Sequence, residues 1–132
     1  MNIGQLARQS GVPIDTVRYY ERQQLLPPPA RSASGYRIYR ADDVARLQFI
    51  RRAKALGFTL EEIADLLDIS DRRDGEMAQV KRAAAEKLAL IDARLRDMQH
   101  MRDALAQLVD ACPGHGPLGQ CPIIAALNRE AP

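Results

Sequence analysis

The sequence predicts a mainly α-helical chain: a winged helix-turn-helix domain, then one long coiled-coil helix, then a short loop bearing two cysteines. Three observations lead there. Two short helical patterns near the N-terminus are joined by the break Gly11-Val12-Pro13, residues from Met77 to Ala111 contain neither glycine nor proline, and Cys112 and Cys121 flank a Gly/Pro-rich segment.

Each element has its own signal. Ile3, Leu6 and Ala7 mark a short apolar face, and the pattern resumes through Asp15-Thr16-Val17-Arg18-Tyr19-Tyr20-Glu21 after the glycine break. Two short helices around such a turn are the helix-turn-helix signature. Pro27-Pro28-Pro29 ends the second helix, since proline lacks the N–H and disfavours helical geometry in the residue before it. In Arg31-Ser32-Ala33-Ser34-Gly35-Tyr36-Arg37-Ile38-Tyr39-Arg40 a Ser-Gly turn precedes an alternation of Tyr/Ile with Arg, which predicts a two-stranded wing. Helical spacing returns with Val44, Leu47, Phe49, Ile50 and Ala53, and Gly57 suits the C-terminal cap. Thr59-Leu60-Glu61-Glu62 is a capping box that starts a further helix, expected to end near Ile69.

Residues 1–69 thus form the winged domain and the polar, glycine-containing residues 70–76 a linker. Residues 77–111 form the dimerisation helix, in which Ala84, Leu88, Ile91, Leu95, Met98, Leu105 and Val109 recur at steps of three and four with Arg102 the one break. At about 1.5 Å per residue this helix runs roughly 50 Å, longer than a domain this small can cover, so its seam belongs to a homodimeric coiled coil. Residues 112–132 supply the cysteine loop and a short closing helix opened by Pro122 at its first position.

Charge divides the chain. Residues 1–57 hold ten Lys/Arg against four Asp/Glu, whereas residues 58–132 hold nine against thirteen. The basic half is the candidate nucleic-acid surface. All six aromatics, Tyr19, Tyr20, Tyr36, Tyr39, Phe49 and Phe58, precede residue 59. The two phenylalanines suit a core, and the tyrosines beside arginines suit a phosphate backbone. No run approaches the 18 or so apolar residues of a membrane span, and the N-terminus lacks the pattern of a secretory signal, so the expected location is the cytoplasm. In that reducing compartment the two thiols are expected to serve as a metal site or a redox switch rather than a permanent staple. Catalysis is not expected: the acidic pair Glu61 and Glu62 is accounted for by the cap, and no nucleophile, base and orienting group come together.

The order of parts closely resembles the MerR family of transcription regulators. The residues that carry the likeness are Ile3-Gly4-Gln5-Leu6-Ala7, Gly11-Val12, Val17-Arg18-Tyr19-Tyr20-Glu21, Leu25-Leu26-Pro27 and the wing Arg31 to Tyr39, continued by Arg51-Arg52-Ala53-Lys54-Ala55-Leu56-Gly57-Phe58-Thr59-Leu60-Glu61-Glu62-Ile63. Gln24 departs from the pattern, standing where many members carry glycine. The resemblance implies a homodimer on a palindromic double-stranded promoter, bound with or without inducer, that activates by distorting DNA so that RNA polymerase can use widely spaced promoter elements. It places Thr16, Arg18 and Tyr20 on the recognition helix and Tyr36, Arg37 and Tyr39 on the wing. Arg18 is the best base-edge candidate because arginine binds guanine bidentately, while Arg31, Arg37 and the tyrosine hydroxyls suit phosphates.

Within the family, Ala111-Cys112-Pro113-Gly114 and Cys121-Pro122-Ile123-Ile124 look most like the copper-efflux regulators, which makes Cys112 and Cys121 the expected metal ligands. Two thiolates are soft ligands suited to Cu(I), Ag(I) or Au(I). Members that sense divalent metals usually place a cysteine at the head of the long helix, where this chain has Met77. Eight residues between the cysteines is nevertheless a spacing associated with that divalent branch, which takes Zn, Cd, Pb or Hg, and His115 stands inside the loop as a candidate third ligand. A disulfide-forming redox sensor is the other reading of the same pair.

Overall fold

The architecture follows from how each helix is started and stopped. The computed structural model describes residues 1–129. It contains α1 (Ile3–Ser10), α2 (Ile14–Arg22), β1 (Ala30–Arg31), β2 (Arg37–Ile38), α3 (Ala41–Ala55), α4 (Leu60–Asp71), α5 (Met77–Ala111), a 3-10 turn at Leu118–Gln120 and α6 (Pro122–Leu127). The mainly helical class, with a helix-turn-helix, a small wing and one long helix, is the one expected.

Asn2 starts α1 through a reciprocal box: its Oδ1 accepts from the Gln5 N–H at 2.8 Å, and its own N–H donates to Gln5 Oε1 at 2.9 Å. Gly11 closes the helix at φ +71°, the left-handed conformation that favours glycine, and a Cβ there would also displace the tip of the Arg51 side chain, 2.5 Å away. Thr59 and Glu62 form the expected box at the head of α4, with bonds of 2.8 and 3.2 Å. That helix runs two residues past Ile69, to Asp71, because nothing in Ser70-Asp71 breaks it.

The end of α2 corrects the expectation that prolines stop it. The helix finishes at Arg22, well before Pro27, through a Schellman motif: Leu25 N–H donates to the Tyr20 carbonyl at 2.9 Å and Gln24 N–H to the Glu21 carbonyl at 3.0 Å. The motif needs a left-handed residue, and Gln24 takes φ +61° with a side chain that resists it. Gln24→Gly should therefore stabilise the folded chain by about 0.5–1 kcal/mol, the left-handed penalty less the extra chain entropy of glycine. A melting temperature that does not rise in thermal denaturation would count against this account.

The wing is shorter than the alternation suggested. Ala30 pairs with Ile38 and Arg31 with Arg37 in an antiparallel ladder of two residues per strand. Its turn is held locally, by Gly35 N–H to the Ser32 carbonyl at 2.9 Å and Tyr36 N–H to Ser32 Oγ at 3.1 Å, with Gly35 at φ +85°.

Leu6, Val17, Leu47, Ile50 and Ile63 are fully buried and draw one residue set from each of α1 to α4 into a single core, completed by Leu25, Leu26 and Tyr39. Arg46 pins its edge, donating from Nε to the Leu25 carbonyl at 2.7 Å and pairing through Nη1 with Asp71 at 3.0 Å. The chain divides into two compact units, one through Ala84 and one from Ala85. In the second unit Lys87 is the only buried residue among those described. Leu88, Leu95, Met98, Leu105 and Val109, all on the expected seam of α5, are 56 to 62% exposed. No described helix is long and apolar enough to cross a membrane.

Candidate metal centre and nucleic-acid surface

Cys112 follows the last residue of α5, its N–H donating to the Val109 carbonyl at 3.2 Å. The chain then turns through Gly114 at φ +79° and Gly116 at φ +106°, conformations that glycine adopts freely. The 3-10 turn brings it back, with Cys121 N–H bonded to the Leu118 carbonyl at 3.0 Å. Cys112 and Cys121 consequently line one cavity of about 300 Å³, together with His115, Leu118 and Gln120. Both thiols are free and partly exposed.

Cys121 occupies the N-cap of α6, and Pro122 stands at that helix's first position as expected. The backbone N–H of Ile124 draws the Cys121 thiol below its ordinary pKa, against desolvation that raises it, with further lowering from the Ile123 N–H and the Cys112 thiol. A sulfur at this position faces the exposed N–H groups of the first turn, which favour the thiolate. The donor chemistry fits a soft cation: two sulfur ligands, one biased toward its anion, on a shared cavity. His115 is exposed, and its Nδ1 lies 3.1 Å from the Pro113 carbonyl. Met77, at the head of α5, is 87% exposed. No group of three or more His, Cys, Asp or Glu side chains gathers among the described residues.

Of the seven residues expected at DNA, five reach the surface of the first unit. Arg18, Tyr36 and Arg37 line one cleft with Asn2 and Ile3, and Arg31 and Arg37 line a neighbouring groove with Arg22. Thr16 is partly exposed on α2, one turn before Tyr20. Arg31 steadies the hairpin by donating from Nη1 to the Gly35 carbonyl at 2.9 Å. Asp15 lies 3.8 Å from Arg18 on the outer face of α2.

Tyr20 and Tyr39 go elsewhere: they are 7% and 3% exposed, within the core. Helical phase explains the first. Val17 and Tyr20 are three residues apart on the inner face of α2, which turns Tyr19 outward, 40% exposed with the Arg22 guanidinium 5.9 Å from its ring centre. Burial and a hydrogen bond to Glu21 push the Tyr39 phenol up to about 12, and the Oη donates to Glu21 Oε1. Glu21 belongs to the motif that carries the family likeness, but its pairing leaves no mark there because its partners lie 16 and 18 residues away.

A family model described as MerR HTH family regulatory protein matches residues 1–69, and one described as MerR, DNA binding matches residues 44–108. The chain belongs to the MerR family. Members are transcriptional regulators, not enzymes, and the winged domain of this chain is the part that the regulatory-protein family covers. Among MerR-family relatives, the HTH-type transcriptional regulator HmrR of Rhizobium leguminosarum bv. viciae is 41% identical over 99% of this chain and 100% of its own length. PbrR691 of Ralstonia metallidurans CH34, solved in complex with lead(II), matches with a TM-score of 0.88 at 32% identity, over 96% of this chain and 98% of that one. MerR of Bacillus megaterium MB1, solved with mercury(II), matches at 0.76 and 36% identity, over 98% of this chain and 100% of that one.

Proposed function

We propose that this MerR-family chain is a homodimeric, metal-responsive promoter regulator in which Cys112 and Cys121 bind a soft monovalent ion, Cu(I), Ag(I) or Au(I). The observation that carries the reading is the pair of thiols on one loop cavity, with Cys121 lowered by the first N–H groups of α6. A bound ion would supply a link between the two ends of that loop and neutralise thiolate charge. The exposed apolar stripe of α5 supports a paired helix, and two copies of the winged domain suit the two halves of a palindromic promoter. Thr16, Arg18, Arg31, Tyr36 and Arg37 are the contacts with duplex DNA, and Tyr20 and Tyr39 set their positions from within the core. Output then comes from distortion of the operator to the benefit of RNA polymerase, an indirect readout with deformation energies of about 1–6 kcal/mol.

A divalent ion is the second reading, favoured by the lead(II) and mercury(II) in the two solved relatives. Transcription in vitro from the cognate promoter with mono- and divalent metals separates the two, read beside the coordination number from X-ray absorption. A response to monovalent ions at two-coordinate sulfur is expected. A response confined to divalent ions, or one produced by a mild oxidant without metal, would replace the first reading with the divalent or the redox one. Arg18→Ala should relax base preference at one position per half-site, costing about 1–3 kcal/mol if the contact is bidentate to guanine. Unchanged preference in a selection from randomised duplexes removes Arg18 from direct readout.

A further inference from the structure

Three side chains join α2 to the wing. The Glu21 carboxylate, whose side chain is 13% exposed, accepts from Tyr39 Oη on one oxygen and from Arg37 Nη1 at 3.2 Å on the other. Tyr39 is fixed in turn, because its ring is in the core and its backbone N–H donates to the Met1 carbonyl at 2.8 Å. Arg37 is 45% exposed and borders both clefts of the basic surface. Constraint therefore runs outward from the core: Tyr39 holds Glu21, and Glu21 holds Arg37.

We propose that Glu21 is a positioning residue for operator recognition, clamping the Arg37 guanidinium so that its free edge meets a phosphate in one geometry while its charge is cancelled for casual encounters. The proposal rests on the DNA-binding reading of the winged domain. A guanidinium has five donors, so one spent on Glu21 leaves enough for a bidentate phosphate contact. The ion pair restricts its rotamers before DNA arrives, which favours the contact that fits that orientation. A carboxylate beside a DNA-facing arginine lowers the attraction to any phosphate, the sequence-independent part of binding. Specificity is a difference between affinities, and the clamp acts on both sides of it.

The test uses the full chain with two duplexes of equal length: one selected by the wild-type protein from a randomised palindromic library, and a scrambled control. Affinity is measured for both across a salt series. Glu21→Gln should weaken the selected duplex and tighten the scrambled one. Its log–log salt slope on the scrambled duplex should steepen by about 0.9, the value for one freed cation, and the ratio of affinities should fall about tenfold. In an Arg37→Ala background the same glutamine should change that ratio less than about twofold, because the clamped group is gone. Tyr39→Phe, which keeps the ion pair and loses its anchor, should lower the ratio without altering the scrambled slope. Equal weakening on both duplexes at unchanged slope, or an undiminished effect of glutamine in the Arg37→Ala background, overturns the proposal and leaves Glu21 as a packing residue. A wild-type protein that selects no sequence from the library rejects the DNA reading itself, and the proposal with it.

Discussion

Cys112→Ser and Cys121→Ser should each abolish metal-dependent transcription while leaving operator affinity within about twofold of wild type, since the proposed DNA contacts belong to the other compact unit. Serine keeps the size of the side chain and removes the soft donor. Cys121 carries a second consequence, because the atom that would bind metal also faces the N–H groups of Ile123 and Ile124. A serine hydroxyl is a good N-cap, so α6 should survive the substitution and the loss should be confined to the ligand. Transcription in vitro and operator titration with the same preparations provide the comparison. If both variants lose operator binding to the same degree as induction, the division between a DNA-reading unit and a metal-reading unit is wrong.

Leu95→Glu should lower operator affinity by roughly 100-fold or more, because a regulator that grips two half-sites loses one of them when it becomes a monomer. Leu95 is 60% exposed in the single chain, so glutamate costs little there. Across a paired α5 it would bury a charge on each partner, and unpaired buried charge is costly enough to dissociate a helix seam. Sedimentation should show monomers whose winged domains keep their circular dichroism. A dimer of unchanged affinity would mean that α5 pairs through another face.

Most of the fold is legible in the residues because its signals are local. The Thr59–Glu62 box, the glycine at position 11 and the proline opening α6 each act within a few residues, and each sits where expected. The stop of α2 is marked only through the resemblance, which puts Gln24 where many members carry glycine; glutamine itself does not signal a left-handed residue, and the prolines downstream look like the stronger stop. Tyr20 is misplaced when adjacency to arginine is weighed above helical phase, and Tyr39 because the contacts that bury it, to Met1 and Glu21, are distant in sequence. Val17 and Tyr20 share a face by spacing alone, and that cue is present in the residues. The Glu21 clamp is not legible at all, since it forms only when the wing folds back on α2. For the thiols, the residues spell out the loop and the two candidate ligands, while their common cavity depends on a turn that Gly114 and Gly116 permit and the 3-10 segment completes.

From Ala85 onward the described chain buries a single side chain, Lys87, while its leucines and methionines stay in contact with water. Such a segment has almost no buried interior of its own, so under the homodimer reading much of its tertiary stability would come from the partner helix. A segment stabilised that way follows mass action: dilution should weaken it, whereas the winged domain, with a closed core, should be indifferent to dose. If this is the half that senses metal, as proposed, its readiness to respond is expected to scale with the abundance of the chain itself.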